Sequence, residues 1–247
     1  MTKFSVCIDA VFNGLPSDEA LRATRDAGFS TFEFWSWWDK DLDQIANMAD
    51  KLSLTPVVCC TRFISLVDPA ERDNYLVGLE ESIEAAQKLG IKKLISQTGN
   101  DLGTSTHNQT ESVIEGLLAC LPLLEQSGME LLLEPLNVRV DHPGYFLTSS
   151  DDAFKIVRAV GSPHVNVLFD IYHQQITEGD VIRQITDNID LIGHFHAAGN
   201  PGRHELHIGE LNYDEIFKAI DQSNYPGFVG LEYFPLDQKN PLKHICL

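Results

Sequence analysis

Short apolar and β-branched runs alternate with amphipathic stretches along the whole chain, the pattern expected of strand–helix units wound around a parallel sheet. Eight runs carry the strand signal: KFSVCID (3–9), TFEFW (31–35), LTPVVCC (54–60), IKKLISQ (91–97), MELLLEP (129–135), VNVLFD (165–170), LIGHFH (191–196) and GFVGLEY (227–233). Their starts lie roughly 20 to 40 residues apart, enough for a helix and two loops in each interval. Glycines at 28, 90, 128 and 161 follow amphipathic stretches as helix stops, and Ser17 with Asp18 and Glu19, or Ser149 and Ser150 with Asp151 and Asp152, mark helix starts. Eight such units predict an α/β chain folded as a single (β/α)8 TIM barrel, one domain over residues 1–247. A doubly wound sheet is the alternative, but NGLPSDEA after the first run lacks GxGxxG spacing.

The last unit differs from the others. The residues after Tyr233 are few and include Pro235 and Pro241, so the eighth helix is expected to be short or missing. One flank of the barrel then needs another cover, and a second subunit would supply it. A homo-oligomer is therefore an expectation.

Charge narrows the partners. Asp and Glu outnumber Lys and Arg by 36 to 18, a formal charge of -18, which repels phosphate backbones and anionic lipid surfaces. The expected partner is a small molecule, neither nucleic acid nor membrane. No apolar run approaches the roughly 20 residues that span a bilayer, and no cleavage site follows the N-terminal apolar stretch, so a cytoplasmic location is expected. The five cysteines, Cys7, Cys59, Cys60, Cys120 and Cys246, sit mostly in apolar segments and read as buried thiols of a reducing compartment.

Candidate chemistry gathers at strand ends. Glu134, Asp170, His196 and Glu232 each close one of the last four runs. The carboxyl ends of parallel barrel strands form the active-site face, so these four side chains are expected to converge. Any one of them alone reads equally well as a strand-end polar residue bonded to a loop. Together, three buried carboxylates and an imidazole call for a positive neutraliser, and one divalent cation, Mn²⁺, Mg²⁺, Co²⁺ or Zn²⁺, suits that donor set. Two of the carboxylates could also move protons. His173 follows Asp170 closely enough to face the same cavity. Arg203 lies in a Gly/Pro loop and offers a planar fork for a carboxylate or paired oxygens; the alternative is a surface pair with Glu205 or Glu210. His194 alternates with His196, which lies nearer the strand end and is the expected ligand, while His107, His142, His164 and His207 read as loop residues. Trp35, Trp37, Trp38 and Phe12 are either an aromatic wall or ordinary packing, and Glu33 is expected at the rim.

LEPLN, HPGYFL, LFDIYHQQITEGD, IGHFH, PGRHE, GELNY and GFVGLEY follow in order between Glu134 and Tyr233, and this series resembles the hydroxypyruvate isomerase family of the xylose-isomerase-like barrel superfamily. Earlier residues share only the strand rhythm. The resemblance implies a (β/α)8 barrel with one divalent metal at Glu134, Asp170, His196 and Glu232. It also implies that Glu134 and Glu232 act as an acid/base pair, with His173 and Arg203 contacting substrate; Trp35 is expected to join them. Family members often carry glutamine at the position of His196, where related ketose 3-epimerases carry histidine. The implied activity is isomerisation of a short hydroxypyruvate-like sugar acid, with epimerisation or isomerisation of a neutral sugar as the alternative.

Overall fold

Every apolar run becomes a strand in the computed structural model, which describes residues 1–245. The strands are β1 (Phe4–Cys7), β2 (Thr31–Glu33), β3 (Thr55–Pro56), β4 (Val58–Cys60), β5 (Lys93–Ser96), β6 (Glu130–Leu133), β7 (Val165–Asp170), β8 (Ile192–Ala197) and β9 (Val229–Leu231). The third run alone yields two strands. Pro56 has no N–H to give to a ladder, so β3 ends there after pairing with β2, and β4 then pairs with β5. Val57 N donates to Phe32 O at 2.9 Å and Cys60 N to Trp35 O at 2.9 Å, so the wall stays bonded across the break. All pairings are parallel, in the order β3-β2-β1-β9-β8-β7-β6-β5-β4, and the β1–β9 ladder closes the barrel.

Helices fill the intervals: α1 (Ile8–Val11), α2 (Ser17–Asp26), α3 (Leu42–Leu52), α4 (Arg72–Leu89), α5 (Thr106–Ser127), α6 (Ser150–Val160), α7 (Ile171–Thr177), α8 (Val181–Asn188) and α9 (Tyr213–Gln222). Their stops follow the sequence signals, with Gly90, Gly128 and Gly161 in the left-handed region just past α4, α5 and α6. Among the described residues no helix follows β9, so the eighth helix is missing as expected. The tail instead turns back on the barrel, with Leu242 buried and Tyr233 OH donating to Pro241 O at 2.6 Å. No helix among the described residues is long and apolar enough to cross a membrane. Cys7, Cys59, Cys60 and Cys120 are buried free thiols; Cys246 lies outside the described residues.

Two halves of the lumen are built differently. Val58, Cys60, Ile95, Leu132 and Leu168, from β4 to β7, form an apolar plug separate from the larger core under the helices. The half made by β1, β2, β8 and β9 presents Ser5, Glu33, His194, His196 and Gly230, and all four of the polar side chains are buried. A bulge sets this up. Ile192 pairs with Val167 and His194 with Leu168, which leaves Gly193 as an extra residue and shifts the phase so that both histidines turn inward.

Candidate active site

Glu134, Asp170, His196 and Glu232 meet at the carboxyl ends of β6 to β9. One donor atom from each lies within 4.8 Å of the others, and all four side chains are buried. Asp170 ends β7 and caps α7, so its Oδ1 accepts from Tyr172 N at 2.8 Å and His173 N at 3.1 Å. Its Oδ2 is left for the cluster. Glu232 follows β9 and is the most heavily partnered: Trp35 Nε1 donates to Oε1 at 2.5 Å, and Arg203 Nη2 donates to Oε2. His196 Nδ1 lies 3.3 Å from the same Oε2 and 3.7 Å from Glu134 Oε1. Glu134 has a single side-chain hydrogen bond, accepted at Oε2 from Gln97 Nε2 at 3.2 Å.

Arg203 is turned inward. The surface pairing with Glu205 or Glu210 does not form: Glu205 accepts from the backbone of Leu236 and Asp237, and Glu210 accepts from Asn200 and Gln175. Arg203 Nη2 also lies 3.6 Å from Asp170 Oδ2, and the guanidinium stacks over Tyr172 with 5.4 Å to the ring centroid. Its backbone takes φ 56°, a left-handed conformation that costs about 1–2 kcal/mol outside glycine. Phe234 N donates to Arg203 O at 2.8 Å, holding that turn against the residues that follow Glu232.

The electrostatics follow from burial and these neighbours. Burial raises Glu232, but Arg203 and His196 outweigh it and hold the carboxyl well below the ordinary carboxylate range. Burial drives Asp170 up to about 7; Arg203 offsets only part of that rise, and the Glu232 charge adds to it. His196 is lowered by burial, yet Glu232 and Glu33 raise it well above its ordinary value. His173 is pushed well below its ordinary value by burial, with Arg203 adding to the effect.

A divalent cation fits this donor set. Buried His196 Nδ1, His196 Nε2 and His173 Nε2 have no well-formed hydrogen bond, and three carboxylates share one small volume with Arg203 as the nearest fixed cation. Glu134, Asp170, Glu232 and His196 Nδ1 are the atoms that could hold it.

Above the cluster opens a cavity of about 660 Å³, lined by Glu134, His196, Glu232, His173, Arg203 and Trp35, by buried Leu136, and by exposed Phe63 and Leu102. Trp37 and Trp38 do not line it; they stack with each other and, through Trp38, with Phe63 near the mouth. Phe12 belongs to the core. Glu33 is not at the rim: it lies beneath the cluster, bonded to His194 and near His196. His142, expected as an ordinary loop histidine, lines the cavity with Tyr145 and Gln97. Gln97 was open to the strand-end rule, since it closes IKKLISQ, whereas nothing in HPGYFL marks His142 or Tyr145 as cavity residues.

Comparison with known proteins gives a consistent set of relatives. The family model described as xylose isomerase-like TIM barrel matches residues 21–244. Hydroxypyruvate isomerase of Escherichia coli strain K12 is 31% identical over 245 residues, covering 95% of this chain and 94% of that protein. The 2-oxo-tetronate isomerase of Cupriavidus necator is 43% identical over 122 residues, 49% of this chain and 46% of that protein. Among solved structures, one described as AP endonuclease, family 2, from Brucella melitensis superposes with a TM-score of 0.94 at 30% identity, covering 98% of this chain and 97% of that one.

Proposed function

The chain belongs to the hydroxypyruvate isomerase family of xylose isomerase-like TIM barrels and is an isomerase, and we propose that it interconverts the hydroxy-aldehyde and keto forms of a short sugar acid such as hydroxypyruvate or 2-oxo-tetronate. The observation that carries this reading is the meeting of Glu134, Asp170, His196 and Glu232 donor atoms within 4.8 Å beside one cavity. A divalent cation bound there would act as a Lewis acid on the substrate carbonyl. Glu134 takes the proton from the carbon beside the carbonyl, giving an enediolate, and the proton is returned to the neighbouring carbon with Glu232 as the second member of the acid/base pair. His173 and Trp35 contact substrate at the cavity wall. Arg203 keeps Glu232 oriented, and its Nε, buried without a protein partner, is a donor still free for a substrate carboxylate.

A neutral ketose is the second reading. It is favoured by a cavity larger than a three-carbon acid needs, in which Arg203 is the one lysine or arginine among the lining residues and already meets two carboxylates. Exchange of substrate carbon-bound hydrogen with D₂O, followed by NMR with and without added Mn²⁺ across sugar acids and free ketoses, tests both. Metal-dependent exchange on hydroxypyruvate or 2-oxo-tetronate supports the first reading. Exchange confined to free ketoses supports the second, and exchange on neither class overturns both.

A further inference from the structure

Beneath the cluster lies a carboxylate that the proposed reaction does not use. Glu33 on β2 is 1% exposed and does not line the cavity. Its Oε2 accepts from Ser5 Oγ on β1 and lies 3.0 Å from His194 Nε2 on β8. Its Oε1 lies 2.8 Å from His196 Nε2, a close approach whose angle falls short of a formed hydrogen bond. On β9, Gly230 makes the slot, because a Cβ there would overlap both carboxylate oxygens and their carbon. Ser5 on β1, Gly230 on β9 and two histidines on β8 thus surround a buried charge on β2, an expensive arrangement unless the charge has partners and a task.

The task follows from the two nitrogens of His196. A carboxylate only accepts hydrogen bonds, so the nitrogen facing Glu33, Nε2, carries a proton. Neutral imidazole then has its lone pair on Nδ1, the nitrogen that faces Glu134 and Glu232. We propose that Glu33 is a positioning residue that acts through His196, fixing the tautomer and ring orientation in which Nδ1 is presented to a divalent cation. His194, bonded to the same carboxylate, keeps Glu33 charged and centred. The proposal rests on the reading that His196 is a metal ligand. A histidine ligand whose other ring N–H meets a carboxylate binds metal roughly 10- to 100-fold more tightly than one without that partner.

The test measures metal binding, not turnover. Mn²⁺ affinity of the full-length protein is obtained by competition with a chelator, metal stoichiometry by elemental analysis, and ligand geometry from the visible spectrum of the Co²⁺ form. Glu33→Gln is expected to weaken Mn²⁺ roughly 10- to 100-fold and alter the Co²⁺ spectrum. In a His196→Gln background the same change is expected to have little further effect, a non-additivity that general damage to the barrel would not produce. Gly230→Ala, which displaces the Glu33 carboxylate without removing it, is expected to act in the same direction and serves if Glu33→Gln does not fold. Equal affinity in wild type and Glu33→Gln, or full additivity with His196→Gln, overturns the proposal. So does loss of a second equivalent of metal in Glu33→Gln, which would make Glu33, His194 and His196 a metal site of their own. Failure of the wild-type protein to bind Mn²⁺ or Co²⁺ would instead overturn the reading of His196 as a ligand.

Discussion

Glu134 and Glu232 reach the same cavity from β6 and β9, each 5% exposed, yet the two walls treat them differently. The Glu232 wall is charged: Arg203 and Trp35 donate to its two oxygens, His196 stands 3.3 Å away, and every one of these partners favours the anion. The Glu134 wall holds its carboxylate less firmly, with His196 Nδ1 at 3.7 Å and neither an arginine nor an indole donor. Its one side-chain partner is the Gln97 amide, whose Nε2 donates to the carboxylate and whose Oε1 is buried without a partner. An amide can donate to a carboxylate and accept from a carboxylic acid, so it serves either protonation state. Identical side chains at equal depth are therefore held differently. Within the acid/base pair, Glu232 is the member held by several partners, and Glu134 is the less constrained one.

The largest test of this contrast is the pair Glu232→Gln and Glu134→Gln. Removing the Glu232 charge leaves Arg203 and His196 facing an amide, and breaking a buried pair in this way costs about 3–5 kcal/mol. Glu232→Gln is therefore expected to lose both activity and several degrees of melting temperature. Glu134→Gln is expected to lower substrate hydrogen exchange about 10²- to 10⁴-fold while leaving the melting curve close to wild type. Equal stability loss in the two variants would break the comparison.

Arg203→Lys should fall next. Lysine keeps the charge but cannot reach Glu232 and Asp170 with a planar fork while stacking on Tyr172. A drop in kcat/KM of about 10²-fold is expected, close to that of Arg203→Ala, from the loss of charge-assisted hydrogen bonds of about 1.5–3 kcal/mol. Steady-state kinetics on a sugar acid checks this; full rescue by lysine would mean that only charge matters on that wall.

Metal removal should show a pH signature. Asp170 is raised from 3.8 to about 7 in the metal-free protein, so its contribution to stability is full below about pH 4 and lost as pH rises through 7. Glu33 is opposite in sign. Burial raises it, but His194 and His196 outweigh burial and lower it from 4.5 to about 2, so its contribution is present above pH 4.5 and lost as pH falls toward 2. A cation takes the place of the Asp170 proton. The rise in melting temperature on adding Mn²⁺ to chelated protein should therefore be larger at pH 8 than at pH 5.5, and a rise independent of pH would argue against Asp170 as a ligand.

The strand-end residues were legible because a charge closing an apolar run is costly wherever it is buried without a partner, and that cost is visible in one strand at a time. Depth inside the barrel is not. Glu33 pairs in register with Cys7, and Glu232 follows Leu231, which pairs with Val6, so the two glutamates occupy similar ladder positions on either side of β1. Barrel strands tilt against the axis, so positions level in the ladder differ in depth across neighbouring strands. That tilt is a property of closure, and the motif TFEFW contains nothing of it. The tryptophans were ambiguous for a related reason: Trp35, Trp37 and Trp38 share one short loop, and only the packing of Arg62 and Phe63 against the latter two separates them from the cavity wall.

The smallest effects offer the finest resolution of the two walls. Trp35→Phe removes one donor from Glu232 and keeps the aromatic surface, while Gln97→Leu removes the one side-chain donor from Glu134 at similar volume. Each deletes a single hydrogen bond to a carboxylate. If hydrogen bonds were interchangeable, the two changes would cost the same. Glu232 keeps Arg203 after the indole is lost, so Trp35→Phe is expected to slow exchange only a few fold, about 1 kcal/mol or less. Glu134 keeps no side-chain donor after the amide is lost, so Gln97→Leu should cost about 1.5–3 kcal/mol, roughly 10- to 100-fold. A larger loss in Trp35→Phe than in Gln97→Leu would reverse the comparison and make the Glu232 wall the one with no donor to spare.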